Sequence, residues 1–175
     1  VLIAEDFLPM ADALASWLAP WFEIVGKVTD LDMLPGAIRQ TRPDAVLLDL
    51  AFKARSALHE LPALRQLPDA PRFLILTAYR DHGLMTGAID AAASGYVVKA
   101  SDFTEVKVAL GEVLVLRGRL ASADSLFAVA GAASRTALVG RAELARRRGD
   151  RNGSLRLAQE VIRAYTQRSS EWSAA

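Results

Sequence analysis

The sequence predicts an α/β fold: a five-stranded parallel sheet, doubly wound, followed by a small all-α C-terminal extension. Over residues 1–118, five short aliphatic runs alternate with stretches of helical period. The runs are apolar at consecutive rather than alternate positions, as in strands that crossover helices cover on both faces. Beyond residue 118 the aliphatic runs stop, and an arginine-rich helical pattern replaces them.

The strands are expected at Val1–Ala4, Ile24–Val28, Ala45–Leu48, Phe73–Leu76 and Tyr96–Val98, each bounded by turn or charged residues. After the first strand, Met10, Leu14, Trp17, Leu18 and Trp21 recur at helical spacing, and Pro9 suits the opening turn of that helix. The Trp17/Trp21 pair is expected in the core against the sheet. Leu31, Leu34 and Ile38 form the stripe of a second helix, and residues 57–66 and 82–94 carry weaker helical patterns. A fifth helix is expected from about Asp102 to Arg117, with Ser101 or Asp102 as its N-cap.

Composition bounds the chemistry. With 52% hydrophobic and 23% charged residues, the chain has a core to bury and is neither a disordered tail nor a coiled coil. The absence of cysteine excludes disulfides, thiolate catalysis and thiolate metal sites. His59 and His82 are the only histidines, which excludes a multi-histidine metal centre, and both are expected at the surface. Neither the phosphate-loop nor the dinucleotide glycine pattern occurs. Val1–Asp6 places two acids where a signal peptide needs bases and then an apolar run, and no apolar stretch is long enough to span a bilayer. A cytoplasmic location without membrane contact is expected. Val1 is not Met, and a short preceding piece is expected too.

Net charge is +1, unevenly spread. Residues 1–118 hold 11 basic and 15 acidic residues, a balance of −4, whereas residues 119–175 hold 10 arginines and 5 acids, a balance of +5. An acidic body with a basic extension suggests two jobs, one of them meeting a polyanion.

In a doubly wound parallel sheet, ligands sit beyond the carboxyl ends of the strands. There the sequence places Glu5 and Asp6 after the first strand, Asp49 after the third, Thr77 after the fourth and Lys99 after the fifth. Three carboxylates on one rim repel, and their pKa values rise unless a cation neutralises them. An oxygen-only, acid-rich pocket prefers Mg²⁺, which keeps several waters and accepts phosphate oxygens. Three carboxylates, one lysine and one Mg²⁺ sum to zero charge, so an incoming phosphoryl group pairs with Lys99 and the metal.

Residues 1–118 resemble the receiver domain of two-component response regulators, the CheY-like fold. The resemblance is carried by VLIAED at 1–6, PDAVLLDL at 43–50, ILTAY at 75–79 and AAASGYVVKAS at 91–101. Ala100 in place of proline after the lysine is similar to the NarL/FixJ (LuxR-type) regulators. The resemblance implies that Asp49 is the phospho-acceptor for a sensor histidine kinase. It implies that Glu5, Asp6, Asp49 and the Ala51 carbonyl hold Mg²⁺, and that Thr77 and Lys99 bind phosphoryl oxygens, with Ala78 small enough to admit the group. Tyr96 is then the aromatic switch residue whose rotamer follows Thr77. Such a protein is not an enzyme on other substrates; it catalyses only its own phosphorylation and dephosphorylation.

One stretch departs from the family. Receivers usually carry Met-Pro after the acceptor and an Asp-Gly some residues on, whereas this chain reads Leu50-Ala51-Phe52-Lys53-Ala54-Arg55-Ser56-Ala57. Pro and Gly restrict and release the backbone at defined points, so their absence leaves the conformation of this loop open.

In the fifth helix Val106, Leu110, Val113 and Leu114 form the stripe for burial, while Val108 and Val115 fall on the other side of the wheel. That exposed pair is expected to form a homodimer face. Residues 119–136 are read as a linker, Ala-Gly-rich at 128–133. Residues 137–175 are read as a basic helical region with helices at about 137–148 and 154–168 around the turn Gly149–Gly153. Leu155, Ala158, Ile162 and Tyr165 share one face of the second helix. Two helices joined by a Gly-containing turn can form a DNA-reading unit. On that reading Arg146, Arg147, Arg148, Arg151 and Arg156 meet phosphates, in a degenerate or truncated helix-turn-helix; the alternative is a helical pair that packs on protein. The chain is thus read as a response regulator with an output in DNA binding and transcription, against a phosphorylation-independent interaction module or a stand-alone phosphate shuttle.

Overall fold

The computed structural model describes residues 1–53, 55–78, 82–99, 104–131 and 134–172. The chain divides into two compact units, Val1–Ser101 and Asp102–Ala175. In chain order the first contains β1 (Leu2–Ala4), α1 (Leu8–Leu18), β2 (Gly26–Val28), α2 (Leu34–Thr41), β3 (Ala45–Asp49), β4 (Ala51–Phe52), β5 (Arg55–Ser56), α3 (Leu61–Arg65), β6 (Arg72–Thr77), α4 (His82–Asp90) and β7 (Gly95–Val98). The five strands read from the sequence pair side by side, all parallel, in the order β2-β1-β3-β6-β7.

The strand order reverses at β1, so right-handed crossovers put α1 on one face and α2, α3 and α4 on the other. Burial follows the same division. Leu2, Ala4, Val46, Leu48, Phe73 and Ile75 enter one core with Leu34 and Ile38 of α2, Leu61 and Leu64 of α3 and Ala88 of α4. Ile3, Leu47 and Leu74 point the opposite way and are equally buried. Because both faces are covered, the strands need apolar residues at every position, and this is why the runs in the sequence do not alternate.

The helix α1 buries Ala11, Leu14 and Leu18. Trp17 and Trp21, expected in the sheet core, flank that stripe instead. They are half-buried and meet edge-to-face with ring centroids 6.0 Å apart. The helix ends at Leu18, so the periodicity that appeared to extend to Trp21 does not extend as helix.

The second unit consists of α5 (Thr104–Leu116), α6 (Leu120–Ala130), α7 (Arg135–Arg147) and α8 (Arg151–Trp172). The N-cap expected for α5 at Ser101 or Asp102 lies outside the described residues. The stretch 119–136, expected as a linker, is mostly α6, which buries Ala123, Leu126, Phe127 and Ala130 at i, i+3, i+4 and i+7. Alanine is the strongest helix former, so the small residues read as a flexible connection favour a packed helix. Phe127 is 1% exposed, and two glycines make room for it. A Cβ on Gly111 of α5 would stand 2.5 Å from the Phe127 ring, and one on Gly140 of α7 would stand 2.6 Å from it.

That seat also corrects the expected dimer face. Val108 and Val115 lie one turn before and one turn after Gly111, on the side of α5 that meets Phe127. Val108 is 5% exposed and Val115 is half-buried, so the pair does not offer the exposed surface that a homodimer there needs. The helix boundaries shift for a local reason. The Ser134 hydroxyl accepts from Ala137 N–H (3.3 Å) at the start of α7, and the Asp150 carboxylate accepts from Gly153 N–H (2.8 Å) at the start of α8. With Asp150 as cap, the expected turn 149–153 contracts and the helix begins at Arg151.

Candidate functional site

The parallel register aligns the strand ends. Ala4 pairs with Leu48, Asp49 with Leu76, and Thr77 with Val98. One residue further along β1, Glu5 N–H donates to the Val28 carbonyl (2.9 Å), and Lys99 N–H donates to the Thr77 carbonyl (2.6 Å). The ladder thereby carries Glu5, Asp49, Thr77 and Lys99 to one rim, at the switch point where the strand order reverses. Glu5, Asp49 and Thr77 are 2%, 6% and 1% exposed, and Asp6 is half-buried.

Two buried carboxylates side by side require a counter-charge. Lys99 supplies it: its Nζ lies 2.7 Å from Glu5 Oε2 and 3.0 Å from Asp49 Oδ2. Burial pushes the Glu5 carboxyl above its usual range; the hydrogen bond from Lys99 opposes the shift, and the Asp49 charge adds to it. Burial would lower the Lys99 pKa, but the hydrogen bonds and charges of Glu5 and Asp49 outweigh it, and the ammonium is held above its ordinary value.

Ligand oxygens of Glu5, Asp6 and Asp49 lie within 4.8 Å of one another. An all-oxygen anionic donor set so close together fits a hard divalent cation. Ala51 opens β4 and is exposed, with its N–H 3.5 Å from Asp49 Oδ1. Ala78 is exposed on the rim beside Thr77. Tyr96, on β7 opposite Ile75, is half-buried against the core. Tyr79, Ala100 and Ser101 lie outside the described residues, as does the side chain of His82, while His59 is exposed.

The sequence did not show how the loop after Asp49 folds. It is a small antiparallel hairpin, β4–β5, and the Lys53 N–H at its turn donates to Asp6 Oδ2 at 2.5 Å. Asn-Gly or Asp-Gly would have signalled such a turn, and neither is present.

In the helical unit Arg146 and Arg151 line one cleft, and Arg148 and Arg156 line another. Arg146 and Arg147 both bind Glu143 (2.7 and 2.8 Å), and Arg148 binds Asp124 of α6 (2.7 Å) and the Leu120 carbonyl (3.0 Å). Asp124 also receives Arg141 at 3.3 Å. Arg151 and Arg156 are exposed. The Arg146–Arg148 run, read as a polyanion contact, is thus largely engaged with acids of its own unit. Glu143 is visible from its i, i+3 and i, i+4 spacing, but Asp124 is more than 20 residues away in sequence.

Residues 1–111 match the response regulator receiver domain. The chain belongs to that family. The nitrate/nitrite response regulator protein homolog of Haemophilus influenzae is 34% identical over 99 residues, covering 54% of this chain and 48% of that protein. The transcriptional regulatory protein PdtaR of Mycobacterium tuberculosis is 30% identical over 135 residues, covering 69% of this chain and 65% of that protein. Among solved structures, a LuxR-family two-component response regulator from Aurantimonas sp. superposes with a TM-score of 0.60 at 27% identity, over 65% of this chain and 83% of that one. The chain spans about half the length of the first curated relatives it matches.

This part of the chain is therefore a response regulator receiver domain. The family match ends at residue 111, inside α5. That helix is both the last element of the receiver match and the first of the helical unit. Among the described residues, no helix is long and apolar enough to cross a membrane.

Proposed function

We propose that this receiver takes a phosphoryl group on Asp49 from the phosphohistidine of a sensor histidine kinase and passes the change to its C-terminal unit. The observation that carries the reading is the bridge of Lys99 to Glu5 and Asp49 on a rim that also holds Asp6 and Thr77. An Asp49 carboxylate oxygen attacks phosphorus; the O–P bond forms, the P–N bond of the donor breaks, and the imidazole leaves with the electron pair. Lys99, already an ammonium beside Asp49, moves its hydrogen bonds onto the transferring oxygens. Glu5, Asp6, Asp49 and the Ala51 carbonyl would hold Mg²⁺, which when bound neutralises charge on those oxygens. Ala78 is small enough to admit the group, and the Thr77 hydroxyl binds one of its oxygens. Movement of Thr77 toward the phosphoryl group frees space that Tyr96 follows, which is the switch.

The chemistry is confined to Asp49 itself, with gain and loss of its own phosphoryl group, in a cytoplasmic setting. For the output we favour duplex DNA, contacted through Arg151 and Arg156. Arg146, Arg147 and Arg148 contribute less than their number suggests, because binding DNA would cost them Glu143 and Asp124. Binding through phosphate contacts falls steeply with salt.

The test of the acceptor is intact mass after incubation with Mg²⁺ and a small-molecule phosphodonor, wild type beside Asp49→Asn. One phosphoryl adduct is expected on the wild type, absent from Asp49→Asn and absent with chelator. A folded wild type that takes no adduct overturns the reading in favour of a phosphorylation-independent interaction module.

A further inference from the structure

The loop after Asp49 lacks the Pro and Gly of the receivers it resembles, and its backbone is not relaxed. Ala51 pairs with Ser56 and Phe52 with Arg55, and Lys53, directly after Phe52, has φ 50°. That is the left-handed region, which favours Gly and Asn over lysine, so contacts outside the turn must hold it. Phe52 anchors one strand in the core at 3% exposure. On the other strand, Arg55 Nη1 donates to Asp32 Oδ1 at 2.7 Å and its Nη2 donates to Glu60 Oε1. Both anchors are set in short turns of their own. Asp32 lies in the 3-10 turn Leu31–Met33, where its N–H is received by Asp30 Oδ1 at 3.1 Å, and Glu60 closes the 3-10 turn Ala57–His59. A planar guanidinium with two donor edges can tie one strand to two separate elements; a lysine ammonium lacks that fork.

We propose that Arg55 is a positioning residue for the divalent-cation site: by clamping the hairpin to Asp32 and Glu60, it holds Lys53 N–H on Asp6 and the Ala51 peptide beside Asp49. The proposal rests on the reading of the Asp49 centre as a Mg²⁺ site. In this chain a side-chain clamp does what backbone restriction by Pro and Gly does in the loops it resembles. A clamp and a mere surface charge predict opposite signs. Removing a positive charge near an acidic cluster strengthens cation binding, whereas releasing the hairpin weakens it.

The test uses the full chain, with Mg²⁺ alone titrated by calorimetry, and amide hydrogen exchange of Lys53 measured without metal. In Arg55→Met the Kd for Mg²⁺ is expected to rise about threefold to fivefold, the scale of two exposed ion pairs, with Lys53 N–H exchanging faster by a similar factor. Arg55→Lys keeps the charge and loses the fork, so its Kd is expected to rise less but to stay above wild type; it also carries the test if Arg55→Met fails to fold. Unchanged or tighter Mg²⁺ binding in the variants, where wild type binds Mg²⁺, overturns the role of Arg55 alone. A folded wild type that binds no Mg²⁺ overturns the reading of the centre and the role of Arg55 with it.

Discussion

The sheet unit and the helical unit organise their key residues by different means. In the sheet unit Glu5, Asp49, Thr77 and Lys99 each sit at the carboxyl end of a parallel strand, and the ladder brings those ends level. A side chain there needs no particular tertiary partner to arrive at the rim; its place in the strand repeat is enough. In the helical unit the central contact joins Phe127 of α6 to Gly111 of α5 and Gly140 of α7; helical spacing puts Phe127 on a buried stripe, but nothing local pairs it with those two glycines. Repetitive topology makes a site predictable from spacing, whereas packing between irregularly placed helices depends on pairwise fit.

The largest effect that would sharpen this contrast is expected from Phe127→Ala. It removes a 1%-exposed ring from between two glycine surfaces that cannot close the cavity. A loss of about 3–5 kcal/mol is expected, seen as early melting of the helical unit by circular dichroism, with Asp49 phosphorylation retained. Phosphorylation lost together with the helices would break the contrast, because α5 would then be as necessary to the receiver as its strands are.

Gly140→Ala comes next. Alanine in a helix interior gains about 1 kcal/mol of propensity over glycine, but the added methyl would stand 2.6 Å from a buried ring. Overpacking of this kind costs about 1–3 kcal/mol, so net destabilisation is expected, measured as a lower denaturant midpoint. A stabilised variant would show that the ring shifts freely and that the glycines are not what seats it.

The smallest effect concerns acid. Arg146 and Arg147 hold the Glu143 carboxyl down at about 2, from an ordinary value of 4.5. A carboxyl with a depressed folded-state pKa adds stability above its unfolded value, and that contribution is lost as pH falls from about 4.5 toward 2. Glu143 is on the surface, where solvent and salt screen the pairs, so the loss is expected to be slight and to vanish at high ionic strength. Acid titration of wild type against Glu143→Gln, followed by helical circular dichroism, checks it. A helical unit with the same acid profile in both proteins would show that these pairs do not matter to it.

Much of the receiver was legible because its physics is local and repeated. Consecutive apolar residues marked strands covered on both faces, and acids or lysine next to those runs marked the rim. The Trp17/Trp21 pair misled because a helical spacing was followed past Leu18, where the helix ends. The segment 119–136 misled because Ala-rich sequence suits both a connector and a closely packed helix, and only the burial of Phe127 distinguishes them. The partners of the arginine run were only partly legible, because Asp124 reaches Arg148 only across the fold of the unit.

By itself, the sequence determined the five-stranded parallel sheet, the order of its elements and the placing of Glu5, Asp6, Asp49 and Lys99 at one edge, because strand period and crossover handedness leave few alternatives. The tertiary structure decided the remainder. It turned the expected linker into α6, drew Val108 toward the core and engaged three arginines with acids. It also folded the loop after Asp49 into a hairpin held by Arg55, Asp32 and Glu60. Helical spacing records the α6 stripe and the pairs of Glu143 with Arg146 and Arg147, but the glycine seat of Phe127, the Arg148–Asp124 pair and the Arg55 clamp join residues that come together only after the chain has folded.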